Sequence, residues 1–169
     1  MISLSEIFPW MVRLAAWLLS ATIGFAFLVN YWVPGAVFGI AVIVWHWADR
    51  RQLSAARALL FVVASTLNFA LVLEIAQASL PSAPVFNLIE PSVLAGTVLL
   101  PVAHHYIFGL EWRRVVVAVP AIYLAAYATA LVVDAVAIGA PWDRVVNPVA
   151  AWQLAYLLVT RSPLSRAAS

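Results

Sequence analysis

The sequence predicts an all-α polytopic membrane protein, one bundle of six transmembrane helices with the N- and C-termini cytoplasmic. Three observations predict it: the composition, the spacing of the apolar stretches, and the side on which the arginines fall. The chain is 66% hydrophobic and 9% charged, where soluble domains run at roughly 45–50% and about 25%. A spanning helix takes about 20 apolar residues, so 169 residues hold five or six spans and leave no room for an extramembrane domain.

With the N-terminus placed in the cytoplasm, Arg13, Arg50, Arg51, Arg57, Arg113, Arg114, Arg161 and Arg166 all fall inside, and only Arg144 falls outside. That asymmetry, in short loops, is the positive-inside pattern. An odd number of spans breaks it. The style is that of a bacterial inner (plasma) membrane protein.

Residues 1–13 read as an interfacial lead-in anchored by Trp10. Span 1 covers 14–32 and is read as retained, because no Ala-x-Ala-like site follows it. Ala16, Ser20 and Gly24 recur at every fourth position, a small-residue face for helix packing or for docking a partner membrane subunit. Val33-Pro34-Gly35 reads as a turn. Span 2 covers 36–48 and ends in Trp45-His46-Trp47, an interfacial aromatic belt. Span 3 covers 57–80 and carries Asn68, Glu74 and Gln77, with Ser65 and Thr66 expected to bond back onto their own helix. The proline-rich 81–91 connection is too broken to span and too apolar for a free loop, so it lies at the interface or dips back in. Span 4 covers 92–110 with Pro101, His104 and His105. Span 5 covers 115–138 with Pro120 and Asp134, and span 6 covers 145–160.

Orientation sorts the polar residues into two ends. Toward the outside lie Glu74, Gln77, Glu90, Asp134, Asp143, Arg144 and Asn147, in which the four acids face one cation. Glu74 and Asp134 both sit within about 9 Å of the outer boundary at 1.5 Å per residue. Two carboxylates sharing a pocket raise one another's proton affinity and invite a proton or a cation. Pairing of an acid with Arg144 is the structural alternative. Toward the cytoplasm lie His46, His104 and His105. No cofactor is expected; a metal or haem, if present, would use those histidines, although neighbours 104 and 105 point about 100° apart. Without such a ligand the three read as interfacial anchors.

The absence of cysteine excludes disulfides, thiolate metal sites and cysteine nucleophiles. The thin spread of arginine excludes a nucleic-acid face. The functional expectation is binding or transport of a small solute or cation through an outward-facing acidic pocket of Glu74, Gln77, Glu90, Asp134, Asp143, Arg144 and Asn147. One alternative is an intramembrane enzyme on a lipid-linked or isoprenoid substrate, with Glu74 and Asp134 as acid and base. The other is a scaffold subunit of a membrane complex, docking through the small-residue faces of span 1 (Ala16, Ser20, Gly24) and span 5 (Ala118, Ala121, Ala125, Ala126).

Overall fold

The computed structural model describes residues 4–26, 32–48, 53–79, 91–136 and 143–161. They form six helices: α1 (Leu4–Ala26), α2 (Trp32–Ala48), α3 (Ala55–Ser79), α4 (Pro91–Phe108), α5 (Trp112–Val136) and α6 (Asp143–Thr160). Each helix packs on its neighbours in the chain, and α6 returns to α1, so the six close into a ring. Cross-contacts fix the directions as alternating. The start of α2 meets the end of α1 (Gly24 facing Pro34) and the later part of α3 (Gly35 facing Thr66). The start of α3 meets the end of α4 through Phe61 and Phe108, and the start of α5 meets the end of α6 through Arg114 and Arg161.

One end of the ring therefore gathers Arg13, Arg57, Arg113, Arg114 and Arg161. Side chains of α2, α4 and α6 form most of the interior, where Phe38, Val42, Trp45, Leu100, Ile107, Trp152, Tyr156 and Leu157 are buried with Phe61 of α3 and Ala118, Ile122 and Ala126 of α5. The outside is apolar as well. Leu59, Leu60, Val63, Leu67 and Leu71 make an outward stripe on α3, and Val116, Val117, Leu124, Leu131, Val132 and Val136 make one on α5. Among the described residues two helices, over Ile7–Gly24 and Trp112–Val133, are long and apolar enough to cross a membrane, while Trp32–Ala48 and Ala55–Leu71 are shorter apolar helices.

The helix ends follow from local chemistry. Ser54 caps α3, its Oγ accepting from the Arg57 N–H at 3.3 Å and its carbonyl from Ala58 at 3.0 Å. Gly109 ends α4 with φ +71°, and its N–H bonds the His105 carbonyl at 2.9 Å, the left-handed cap that glycine adopts without Cβ strain.

Two expectations change here. Residues 4–13 of the segment read as an interfacial lead-in are already part of α1, Pro9 and Trp10 included. Val33-Pro34-Gly35 is not a turn but the first turn of α2, where proline's missing N–H costs nothing because the first amides of a helix have no intrahelical acceptor. Gly35 and Gly39 then serve packing. A Cβ at Gly35 would lie 2.7 Å from both the Ser65 carbonyl oxygen and Thr66 Cα, and one at Gly39 would lie 2.9 Å from Val62 Cα. Backbones of α2 and α3 touch through this small-xxx-small pair. The contact lets Ser65 Oγ donate across to the Gly35 carbonyl at 2.8 Å, in place of the expected bond within its own helix. Thr66 does bond back, to the Val62 carbonyl at 2.7 Å.

Candidate functional site: a buried histidine–histidine–tyrosine chain

At the arginine-rich end, α2, α4 and α6 each bring one hydrogen-bonding side chain to the same point. His46 Nε2 lies 3.1 Å from His104 Nε2, His104 Nδ1 lies 2.8 Å from the Tyr156 hydroxyl, and that hydroxyl lies 3.4 Å from the Leu100 carbonyl. His46 is 3% exposed, His104 1% and Tyr156 0%. Aromatic rings wall the group in. Phe108 lies 4.7 Å from the His46 ring and 5.1 Å from His104, Phe61 meets His104 edge-on at 5.3 Å, and Trp152 stacks on Tyr156 at 5.7 Å.

A neutral imidazole has one nitrogen that donates and one that accepts, so the chain has two complete arrangements. In the first, Tyr156 donates to His104 Nδ1, His104 Nε2–H donates to His46 Nε2, and His46 carries its proton on Nδ1. In the second, Tyr156 donates to the Leu100 carbonyl, His104 Nδ1–H donates to the Tyr156 oxygen, and His46 Nε2–H donates to His104 Nε2. Both contain three protons on these groups and fit the same distances. The first becomes the second when one proton leaves His46 Nδ1, each bridging proton moves one place, and one proton arrives at the tyrosine oxygen. All three residues are neutral in both arrangements, which suits an apolar interior, where an uncompensated charge costs several kcal/mol.

The anchor reading fails for His46 and His104, which are buried rather than interfacial. His105 behaves as an anchor: half-buried, its Nδ1–H donates to the Leu110 carbonyl at 2.5 Å, and its ring lies against Tyr106 and Trp112. The three histidines thus do not converge. The described residues contain no group of three His, Cys, Asp or Glu able to hold a metal. The His46 and His104 Nε2 atoms, 3.1 Å apart, face each other with no space for an iron between them.

One layer nearer the arginine end, the Arg13 guanidinium is buried 5.1 Å from the Trp10 ring and 5.9 Å from the Trp45 ring, and Arg161 lies over Trp10 at 4.7 Å. Arg114 Nη1 donates to the Arg161 carbonyl at 2.6 Å. Two tryptophans expected as lipid-interface anchors thus hold cations.

Farther into the bundle, Trp152 Nε1–H donates to Thr97 Oγ1 at 3.0 Å. Asn68 Oδ1 and Gln153 Oε1 are buried with no hydrogen-bond partner among the described residues, as are Ser20 Oγ and Trp45 Nε1. An unsatisfied buried polar atom costs about 1–3 kcal/mol.

The expected outer cluster falls at the opposite end. The backbone puts Glu74 and Gln77 on α3, Asp134 on α5, and Asp143, Arg144 and Asn147 on α6. In ring order α3 and α5 flank α4 rather than each other. Asn147 is exposed. Glu90 lies outside the described residues, as do the side chains of Glu74, Gln77, Asp134, Asp143 and Arg144 and all of the 81–91 connection but Pro91. The Ala16, Ser20 and Gly24 face of α1 is turned inward, all three residues being buried in the chain's own bundle.

Sequence reasoning missed Tyr156, Thr97 and Trp152. The signal available was the run Trp152, Gln153, Tyr156 and Thr160, which puts polar-tipped side chains on successive turns of an otherwise aliphatic helix. No protein family, curated protein or solved structure matches the chain.

Proposed function

We propose that this chain is an integral membrane protein that crosses the bilayer six times, with the arginine-rich end in the cytoplasm, and that the small cation it passes is the proton. The single observation that carries the reading is the buried His46–His104–Tyr156 chain. Ionisable groups inside a spanning bundle are costly and are by default functional, proton relays among them.

The outward apolar stripes of α3 and α5 support the membrane part of the reading, since they match a lipid solvent on the outer side of a bundle that is apolar within. The collection of Arg13, Arg57, Arg113, Arg114 and Arg161 at one end supports the orientation. On this reading Glu74 and Asp134, at the far end, gather protons from the outer surface, and the histidine chain delivers them toward the cytoplasm. The solute pocket becomes a proton entrance. The acid–base enzyme reading has less support, because its two carboxylates belong to helices that are not ring neighbours. The scaffold reading loses the α1 part of its docking face, which the bundle itself covers, and keeps only the partly buried Ala121 and Ala125 of α5.

The test is proton uptake by vesicles holding the purified protein, driven by a potassium diffusion potential and read with an entrapped pH dye. Wild-type vesicles take up protons faster than empty ones, and His104→Phe lowers the rate at least tenfold while thermal unfolding stays cooperative. Uptake equal to that of empty vesicles, or undiminished uptake by folded His104→Phe, refutes the proposal.

A further inference from the structure

Buried polar groups continue beyond the histidine chain, and helix register shows where they meet. The Phe61 ring of α3 lies 5.3 Å from the His104 ring of α4, and the two helices run antiparallel. Seven residues make nearly two full turns, about 10.5 Å. Asn68, seven residues after Phe61, and Thr97, seven before His104, therefore return to the facing sides of α3 and α4 at one common level. Helix α6 joins them there. Trp152 donates to Thr97 Oγ1 at 3.0 Å, and its ring lies 5.8 Å from that of Phe69, the neighbour of Asn68. Trp152 also stacks on Tyr156 one turn away, so this level adjoins the tyrosine end of the relay.

Asn68 is 8% exposed and Thr97 0%. The Asn68 Oδ1 acceptor is buried and has no hydrogen-bond partner among the described residues. A carboxamide acceptor so placed, at the level of a buried hydroxyl, is an arrangement that binds water, which needs two to four polar partners. Buried polar positions thus recur along the bundle at Asn68 with Thr97 and at Tyr156 with His104 and His46.

We propose that Asn68 and Thr97 form a hydration site midway through the bundle, and that its water feeds the Tyr156 end of the relay. The inference rests on the proton reading for its role in conduction, but the hydration itself is independent of it. In the transfer step, a protonated water gives one proton to the Tyr156 oxygen as the tyrosine's own proton passes to His104 Nδ1. The His104 Nε2 proton passes to His46 Nε2, and the His46 Nδ1 proton passes to a second water molecule on the cytoplasmic side, which leaves as the protonated species. The first water is left neutral and every residue keeps its proton count.

The chain has no cysteine, so a single introduced thiol reports its own surroundings. Only the thiolate reacts with a methanethiosulfonate reagent, and a thiolate forms where water reaches. Asn68→Cys, in protein reconstituted in vesicles, is expected to react with aminoethyl methanethiosulfonate at least tenfold faster than Leu67→Cys, whose position faces outward. Equal rates overturn the proposal whatever the flux experiment gives. In the flux assay Asn68→Leu is expected to lose at least tenfold in rate, and Asn68→Ser to recover most of it. Full conduction by folded Asn68→Leu, in a protein whose His104→Phe variant is inactive, removes the site from the path while the relay stands.

Discussion

Alanine at Gly35 tests the packing that holds the site in place. Its Cβ would lie 2.7 Å from the Ser65 carbonyl oxygen and from Thr66 Cα, both backbone atoms that no rotamer change can move aside. Restoring an ordinary contact separates α2 from α3 by about 0.7 Å, the gap between that distance and the 3.4 Å of a normal contact. The Ser65 hydroxyl, 2.8 Å from the Gly35 carbonyl, is then carried to the limit of hydrogen bonding. Overpacking costs about 1–3 kcal/mol, and an interhelical hydrogen bond in lipid about 0.6 kcal/mol on average, up to about 1.7. The expected loss is therefore about 2–4 kcal/mol, read by reversible unfolding in mixed micelles of mild detergent and dodecyl sulfate, followed by tryptophan fluorescence. Gly24→Ala is the matched control. Its Cβ would meet nothing nearer than Pro34 at 3.7 Å, so the better helix propensity of alanine makes it neutral or stabilising by up to about 1 kcal/mol. Equal effects of the two substitutions would falsify the close approach of α2 and α3.

Arg13→Ala removes a guanidinium buried against Trp10 and Trp45, and a desolvated cation–π contact is worth about 2 kcal/mol. The same unfolding assay is expected to show that loss, with Arg13→Lys recovering little of it because an ammonium lacks the planar stacking face. Trp152→Phe keeps the ring stack on Tyr156 but deletes the donor to Thr97, for an expected cost of about 1 kcal/mol. Glu111→Cys, on an exposed side chain at the arginine-rich end, is expected to react with an impermeant thiol reagent in inside-out vesicles and not in right-side-out ones; the reverse pattern overturns the orientation. Glu74→Gln with Asp134→Asn is expected to slow proton uptake while leaving the unfolding midpoint in place, and an unchanged rate removes the acids from the path.

The number of helices was legible in the sequence because apolar stretches about 20 residues long, broken by Pro, Gly and charge, carry their own boundaries. Pro34 and Gly35 misled because the same punctuation marks a turn and the first turn of a helix. What decides between them is the packing of α3 directly against Gly35 and Gly39. His46 and His104 were legible as a pair at one end, yet their flanking Trp45, Trp47 and Tyr106 suggested a lipid interface. Which face of an all-apolar helix turns inward has no hydrophobic signature, since the outward Leu67 and the inward Phe61 are both apolar. Only the partner helices select it. Tyr156 escaped notice for the same reason: its role depends on His104 lying beside it, 52 positions away in the chain.

Nitrogen-15 spectra of histidine-labelled protein in bilayers test the relay most directly, because the imidazole shifts distinguish the two neutral tautomers and report exchange between them. A working relay requires His46 and His104 to be coupled through their Nε2 atoms and both to populate the two tautomers in concert. Two histidines each locked in one tautomer, with no exchange and no effect of Tyr156→Phe on either, would contradict it and leave the chain a fixed clasp between α2, α4 and α6.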